Sequence, residues 1–162
     1  MIVRPFQDED LEQVGLLHSR SRQAAYAGLV PAAALAAVTP EAQVEVWRRR
    51  VTRSGSSVFV AANEGALVGF ASLLITPEDC ELDAIHVDPE AQRAGVGSAL
   101  MHAAVEHARS RGVDRLHLLV IGDNERAQAF YRRAGWVLTG PAGTHDVGGA
   151  QASVVRYDLT LE

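Results

Sequence analysis

The sequence predicts a single domain of mixed α/β (α+β) class, with helices packed on the faces of a mixed sheet, and three observations carry that expectation. Strand-like and helix-like periodicities alternate in the order β-α-α-β-β-β-α-β-α-β-β, with no repeat or linker to divide them. At 162 residues the chain has one domain's length, enough to bury roughly two-thirds of its unfolded surface. Its 48% hydrophobic and 22% charged residues are the proportions of a globular chain, not of a disordered or fibrous one. One domain is therefore expected over residues 1–162.

Residues 2–5 read as a short strand, after which Asp8 can cap a helix that carries Leu11, Val14 and Leu17 on one face. Gly28 and Pro31 end it, and an alanine-rich stretch runs on to Val38. Thr39 and Pro40 mark a second helix start, with Val44, Trp47 and Val51 on one stripe and residues 53–55 closing it. Residues 58–62 and 67–75 are β-rich runs joined by Asn63, Glu64 and Gly65, a hairpin signal. After a turn at 76–79, a strand over 81–87 leads through Asp88 and Pro89 into a glycine-containing loop. A helix over 96–111 follows, stopped by Gly112, and then a strand over 116–121. Asn124 or Asp123 can cap the next helix, whose stripe of Ala127, Phe130, Tyr131 and Ala134 ends at Gly135. The last strands are expected at 136–138 and 153–161, with the glycine-rich residues 140–149 as a loop between them.

Every one of the fifteen basic side chains is arginine; against twenty acidic ones they leave a net charge of -5. That balance argues against nucleic acid or an anionic membrane as partner and suits a small cationic amine better. The lone cysteine, Cys80, permits no internal disulfide, and one thiol with scattered histidines lacks zinc-ligand spacing, so no metal is expected. A reducing, cytoplasmic setting follows as the expectation. The N-terminus carries no apolar signal core, and no stretch approaches the ~20 apolar residues of a membrane span.

The most informative segment is Gln92-Arg93-Ala94-Gly95-Val96-Gly97-Ser98, which leaves a strand and opens a helix. A helix start leaves about four backbone N–H groups unpaired at the positive end of the dipole, and glycines there let an anion approach the backbone. The segment is therefore a candidate phosphate cradle. It is not a P-loop, because the Gly-Lys-Ser/Thr ending is missing, and not a dinucleotide fingerprint, because Leu100 stands where the third glycine belongs.

Together with Val87-Asp88-Pro89 before it and Asn124, Ala127, Phe130, Tyr131, Gly135 and Trp136 after it, this segment resembles the GNAT superfamily of acyl-CoA-dependent N-acetyltransferases. The loop is similar to that family's (Q/R)-x-x-G-x-(G/A) element and the later segment to its N-x-x-A-x-x-(F/Y)-Y-x-x-x-G-(F/W) element. The two match in order and spacing, which is more specific than either alone. They cover the second half of the chain closely; the first half agrees in its order of elements, in the opening Val3-Arg4-Pro5 and in the segment from Tyr26 to Pro31.

The resemblance implies a central mixed, mostly antiparallel sheet flanked by helices on both faces, and acetyl transfer from acetyl-CoA directly to a primary amine of a small molecule, peptide or protein. It implies that backbone N–H groups from Gln92 through Arg93, Ala94, Gly95, Val96 and Gly97 to Ser98 hold the coenzyme A pyrophosphate. The pantetheine arm would add to the strand at Ile85, His86 and Val87, and the backbone N–H of His86 or Val87 would face the acyl oxygen. Tyr131 falls where the family places the acid that protonates the departing thiolate. A phenol near 10 and a thiol near 8.5 are nearly matched for that transfer. By periodicity alone Tyr131 is a core aromatic, and Asn124 reads equally as helix cap or coenzyme contact.

An amine that titrates near 10.4 arrives protonated, so a base must accept its proton. Glu81 is the first choice, at the offset before Gln92 where some family members carry a catalytic glutamate; Asp83, His86 and a water chain are the alternatives. Other members place a glutamate on the following strand, where this sequence has Leu119. Strand alternation puts Asp83 on Glu81's face and His86 on the opposite one. A catalytically weak, coenzyme-A-binding regulatory module is the rival reading, and the resemblance leaves room for a homodimer.

Four other features read more plainly. The run Arg48-Arg49-Arg50 spreads around a helix and reads as a solvated face, and Cys80 as a buried structural thiol. Trp47 and Tyr26 are either pocket wall or core, and His145 and Asp146 belong to the glycine-rich loop.

Overall fold

The computed structural model describes residues 1–162; the chain opens with β1 (Ile2–Pro5) and a 3-10 turn before α1 (Leu11–Tyr26). Asp8 is not the cap expected from the sequence. Gln7 N–H donates instead to Asp10 Oδ2 (2.8 Å), and the same carboxylate receives two bonds from Arg4 at 2.7 and 2.9 Å. Those bonds from the guanidinium hold Asp10 below the usual carboxylate range.

The alanine-rich stretch forms a further short helix, α2 (Ala32–Ala36), as alanine's propensity favours. Thr39 caps α3 (Pro40–Arg50), its Oγ1 accepting from Ala42 N–H at 3.1 Å, with Pro40 in the first turn where no N–H is needed. An antiparallel meander follows: β2 (Ser56–Asn63), β3 (Ala66–Ile75) and β4 (Cys80–Val87). Its first turn uses Glu64 and Gly65 at φ 51° and 85°, the left-handed pair that a tight hairpin demands.

From β4 the chain crosses through α4 (Val96–Ser110) to β5 (Arg115–Ile121), then passes through α5 (Glu125–Arg133) into β6 (Val137–Val147) and β7 (Ala150–Thr160). The expected glycine-rich loop is corrected here: nearly all of it is strand, and only Gly148 and Gly149 turn the chain, so His145 and Asp146 sit on β6. Register shifts around Gly140 and Gly143 let β6 absorb those residues as bulges.

The strands lie in one sheet in the order β1-β2-β3-β4-β5-β7-β6, with β4 and β5 parallel and every other pair antiparallel. On one face α4 packs over a core of Leu73, Leu82, Leu100, Leu116, Leu118 and Tyr157. The other face carries α1 and α3 over Val14, Leu17, Trp47, Val60 and Phe70, and a smaller cluster under α2 joins Leu35 to Val147 and Val154. No helix is long and apolar enough to cross a membrane.

Candidate active site

The site is built on a break in the sheet. β4 and β5 pair through a single register position, Glu81 opposite His117. Beyond it the strands part, so the edge of β4 through Ile85, His86 and Val87 is bonded to β3 on one side and to no strand on the other. Ile85 and Val87 pack into the core on the α4 face, which fixes the strand while leaving that row of main-chain groups to an extended ligand.

At the mouth of this wedge lies the loop from Gln92 to Ser98. No backbone N–H from Gln92 to Gly95 meets a protein acceptor, and Ala99 is the first of the following helix to close, onto Gly95 O at 3.0 Å. Arg93 and Gly95 both take left-handed backbone, at φ 69° and 78°, so the loop coils into a concave run of donors. For Arg93 that conformation costs about 1 kcal/mol, strain of the kind stored at binding loops. Val96 is buried and anchors the loop, while Arg93, Ala94, Gly95 and Ser98 are exposed. A Cβ on Gly97 would sit 3.2 Å from the Phe130 ring, so glycine is what lets α4 and α5 close there. Arg20 on α1 ties the loop down through Asp88 at 2.9 Å. These donors, with the free edge of β4, fit a phosphate-bearing extended molecule.

Tyr131 is held by Phe130, Trp136 and Tyr157, with ring centroids 5.6 to 6.3 Å away. Burial, and secondarily the phenol of Tyr26, push its hydroxyl well above the ordinary value near 10. The near match with a free thiol is therefore lost, and Tyr131 stays a proton donor throughout the working pH range. Asn124 acts as a cap, its Oδ1 accepting from Ala127 N–H at 3.2 Å.

The alternation expected along β4 is also corrected. A bulge between Ser72/Leu73 of β3 and Leu82/Ala84 of β4 leaves Asp83 without a register partner and reverses the phase beyond it. Glu81, Ala84 and His86 consequently share the face under α1 and α3, whereas Cys80, Leu82, Ile85 and Val87 point to the α4 side. Three candidate bases thus lie on one face, and their surroundings rank them. Asp83 is locked to Arg50 at 2.6 Å. His86 bonds Ser21 Oγ through Nδ1 (2.9 Å), and burial lowers it to about 4, aided by Arg50 and Arg22. Glu81 is half-buried, has no arginine partner, and is raised by burial against a smaller opposing pull from His117. Glu81 alone of the three is neither locked to an arginine nor lowered by burial, which makes it the best placed to accept a proton. Ser72 Oγ and Asp83 Oδ1 are buried on the same strand pair without protein partners.

The Acetyltransferase (GNAT) family model matches residues 24–136, well over half of the chain. The chain belongs to the GNAT acetyltransferase family. Among curated relatives, a mycothiol acetyltransferase of Propionibacterium freudenreichii is 37% identical over 107 residues, covering 63% of this chain and 33% of its own. The chain thus spans about a third of the length of such relatives. Two solved structures show the same fold. One is the PaiA N-acetyltransferase of Thermoplasma acidophilum in complex with coenzyme A (TM-score 0.79, 20% identity, 96% of each chain). The other is the ribosomal-protein-S18-alanine N-acetyltransferase of Escherichia coli (TM-score 0.74, 20% identity, 98% of this chain and 92% of that one).

Within this GNAT chain the loop follows the free β4 edge and Glu81 stands where that edge closes on β5, while Tyr131 packs into the core on the α4 side. The structure also adds residues that sequence reasoning missed. Arg50 is no part of a solvated face: it binds Asp83 and stacks on Trp47 at 4.2 Å. His117, opposite Glu81, carried no motif, and only the pairing of two distant strands reveals it. Trp47 is fully buried, so it belongs to the core, as does Cys80, whose thiol burial raises to about 11.

Proposed function

We propose that this protein transfers an acetyl group from acetyl-CoA directly to a primary amine of a small molecule, peptide or protein. The observation that carries the reading is the wedge between β4 and β5, with unpaired N–H donors at its mouth and Glu81 at the single paired position where it closes. Backbone donors from Gln92 to Ser98 bind the pyrophosphate, and the edge of β4 at Ile85, His86 and Val87 aligns the pantetheine. The main-chain N–H of Val87, which points away from β3 to the unpaired edge, faces the acyl oxygen as negative charge develops there.

Glu81 takes a proton from the acceptor amine, leaving the nitrogen's electron pair to attack the thioester carbonyl. Tyr131 donates to the departing sulfur. Asn124 shapes the start of the helix that aims Tyr131. The acidic groups Asp79, Glu81 and Asp83 favour a cationic acceptor approaching this face, where Leu119 is 45% exposed. The free thiol of Cys80 agrees with a reducing, cytoplasmic setting.

Acetyl-CoA turnover with spermidine, kanamycin, a lysine-containing peptide and an alanine-ending peptide tests the reading, with Tyr131→Phe as its internal control. The expected result is transfer to at least one amine and a roughly 100-fold loss in Tyr131→Phe. Binding of coenzyme A without transfer to any of them favours the regulatory-module reading. An unchanged rate in Tyr131→Phe across the pH range removes Tyr131 as the acid.

A further inference from the structure

His117 sits at the vertex of the wedge between two carboxylates. Its Nδ1 lies 3.1 Å from Asp79 Oδ1 and its Nε2 3.7 Å from Glu81 Oε2, while the imidazole itself is almost fully buried. The arginines nearby are committed elsewhere: Arg50 to Asp83 at 2.6 Å, and Arg156 to Asp158, the register partner of His117, at 2.7 Å. Within ion-pair distance Asp79 and Glu81 have His117 alone, although the charge of Arg156 also reaches both and that of Arg50 reaches Glu81. A ring that donates Nδ1–H to Asp79 presents a bare Nε2 to Glu81. The gap on that side exceeds hydrogen-bond length by a few tenths of an ångström, a distance that a half-exposed glutamate side chain closes by rotation.

We propose that His117, held in the Nδ1–H tautomer by Asp79, removes from Glu81 the proton taken from the acceptor amine. The inference rests on Glu81 being the base. An N–H bond of the amine breaks as the O–H bond of Glu81 forms, and that O–H breaks as Nε2–H forms on His117. Glu81 returns to carboxylate, and the imidazolium is held between Asp79 and Glu81. Once the amide product has left, Nε2–H passes its proton to water entering over exposed Leu119, which restores the starting tautomer. His117 and Asp79 are positioning residues: they act through Glu81 and do not touch the substrate.

Nitrogen-15 NMR of the wild-type chain at pH 8 tests the tautomer without altering the fold. The neutral ring of His117 is expected to carry its proton on Nδ1, and a proton on Nε2 overturns the proposal. In the transfer assay, with the fastest amine of the panel above, His117→Gln should lower kcat at least about tenfold with KM for acetyl-CoA unchanged. His117→Ala should regain part of its rate with added imidazole. Asp79→Asn should lower kcat less, and shift the pH profile set by Glu81 among Asp79, Asp83, Arg50, Arg156 and Asp158. A His117→Gln rate within twofold of wild type, or no rescue of His117→Ala, overturns the relay. Glu81→Gln separates the two ideas: a wild-type rate there removes the base assignment and the relay with it. A slow Glu81→Gln beside a fast His117→Gln removes the relay alone.

Discussion

Two histidine sites share one face of the sheet and differ in almost everything that gives a histidine chemistry. His18, on α1, and His86, on β4 beneath it, hold their rings 4.3 Å apart with Phe70 within 5.6 Å of each. Trp47 Nε1–H donates to His18 Nδ1 at 2.8 Å, and Ser21 occupies His86 Nδ1. No carboxylate pairs with either ring. Burial first, then neighbouring positive groups, push both downward, so both stay neutral at physiological pH. His117 has the opposite surroundings, a carboxylate near each ring nitrogen and no free arginine. Burial is common to both sites. The difference lies in the partners: a hydroxyl and an indole N–H occupy the first pair, whereas a carboxylate flanks each ring nitrogen of the second.

The largest effect should come from removing the carboxylate at the second site. Glu81→Gln is expected to lower kcat/KM by about 100-fold or more. Its melting temperature should hold or rise, because burial disfavours the ionised carboxylate in the folded state. A large loss of stability in that variant would make Glu81 a structural residue and erase the contrast. The mirror experiment is Trp47→Phe. It takes the donor from His18 within a fully buried cluster and should cost roughly 1–3 kcal/mol in urea unfolding, with kcat/KM kept within about threefold. A collapse of activity at unchanged stability would move the first pair into the catalytic machinery.

The legible parts of this protein were those whose information is local. The loop from Gln92 to Ser98 and the helix carrying Tyr131 are continuous stretches, and their caps and glycines name their conformations directly. Glu81 was expected from the family resemblance, at the offset before that loop where some members carry a glutamate. What stayed hidden depended on pairing between remote strands. The bulge at Asp83 arises because β3 supplies one residue fewer than β4 along that stretch, and it alone decides that His86 joins Glu81. The glycines of β6 read as loop because a bulged strand and a flexible loop share a composition; the register with β7 settles them as strand. His117 gains its meaning from a single cross-strand position, which no spacing within the sequence encodes.

The smallest effect separates the two sites by their response to acid. His86 titrates near 4 in the folded chain against an ordinary value of 6.5, and His18 is shifted the same way. Between those values the unfolded chain binds more protons than the folded one, so stability must fall as pH drops from about 6.5 towards 4, by up to about 1.4 kcal/mol per pH unit for each proton. Asp10 adds its own loss only lower down, as pH falls through the carboxylate range, because Arg4 holds it below its ordinary 3.8. Urea unfolding at successive pH values should therefore give a wild-type slope that His86→Gln flattens by up to one proton, whatever that substitution costs at pH 7. Glu81→Gln should not flatten that slope: Glu81, raised by burial, takes up its proton in the folded chain first, so its removal keeps the slope or steepens it. An equal slope in His86→Gln and wild type would mean that His86 is solvated enough to protonate in place, and the sealed pair would then resemble the open one.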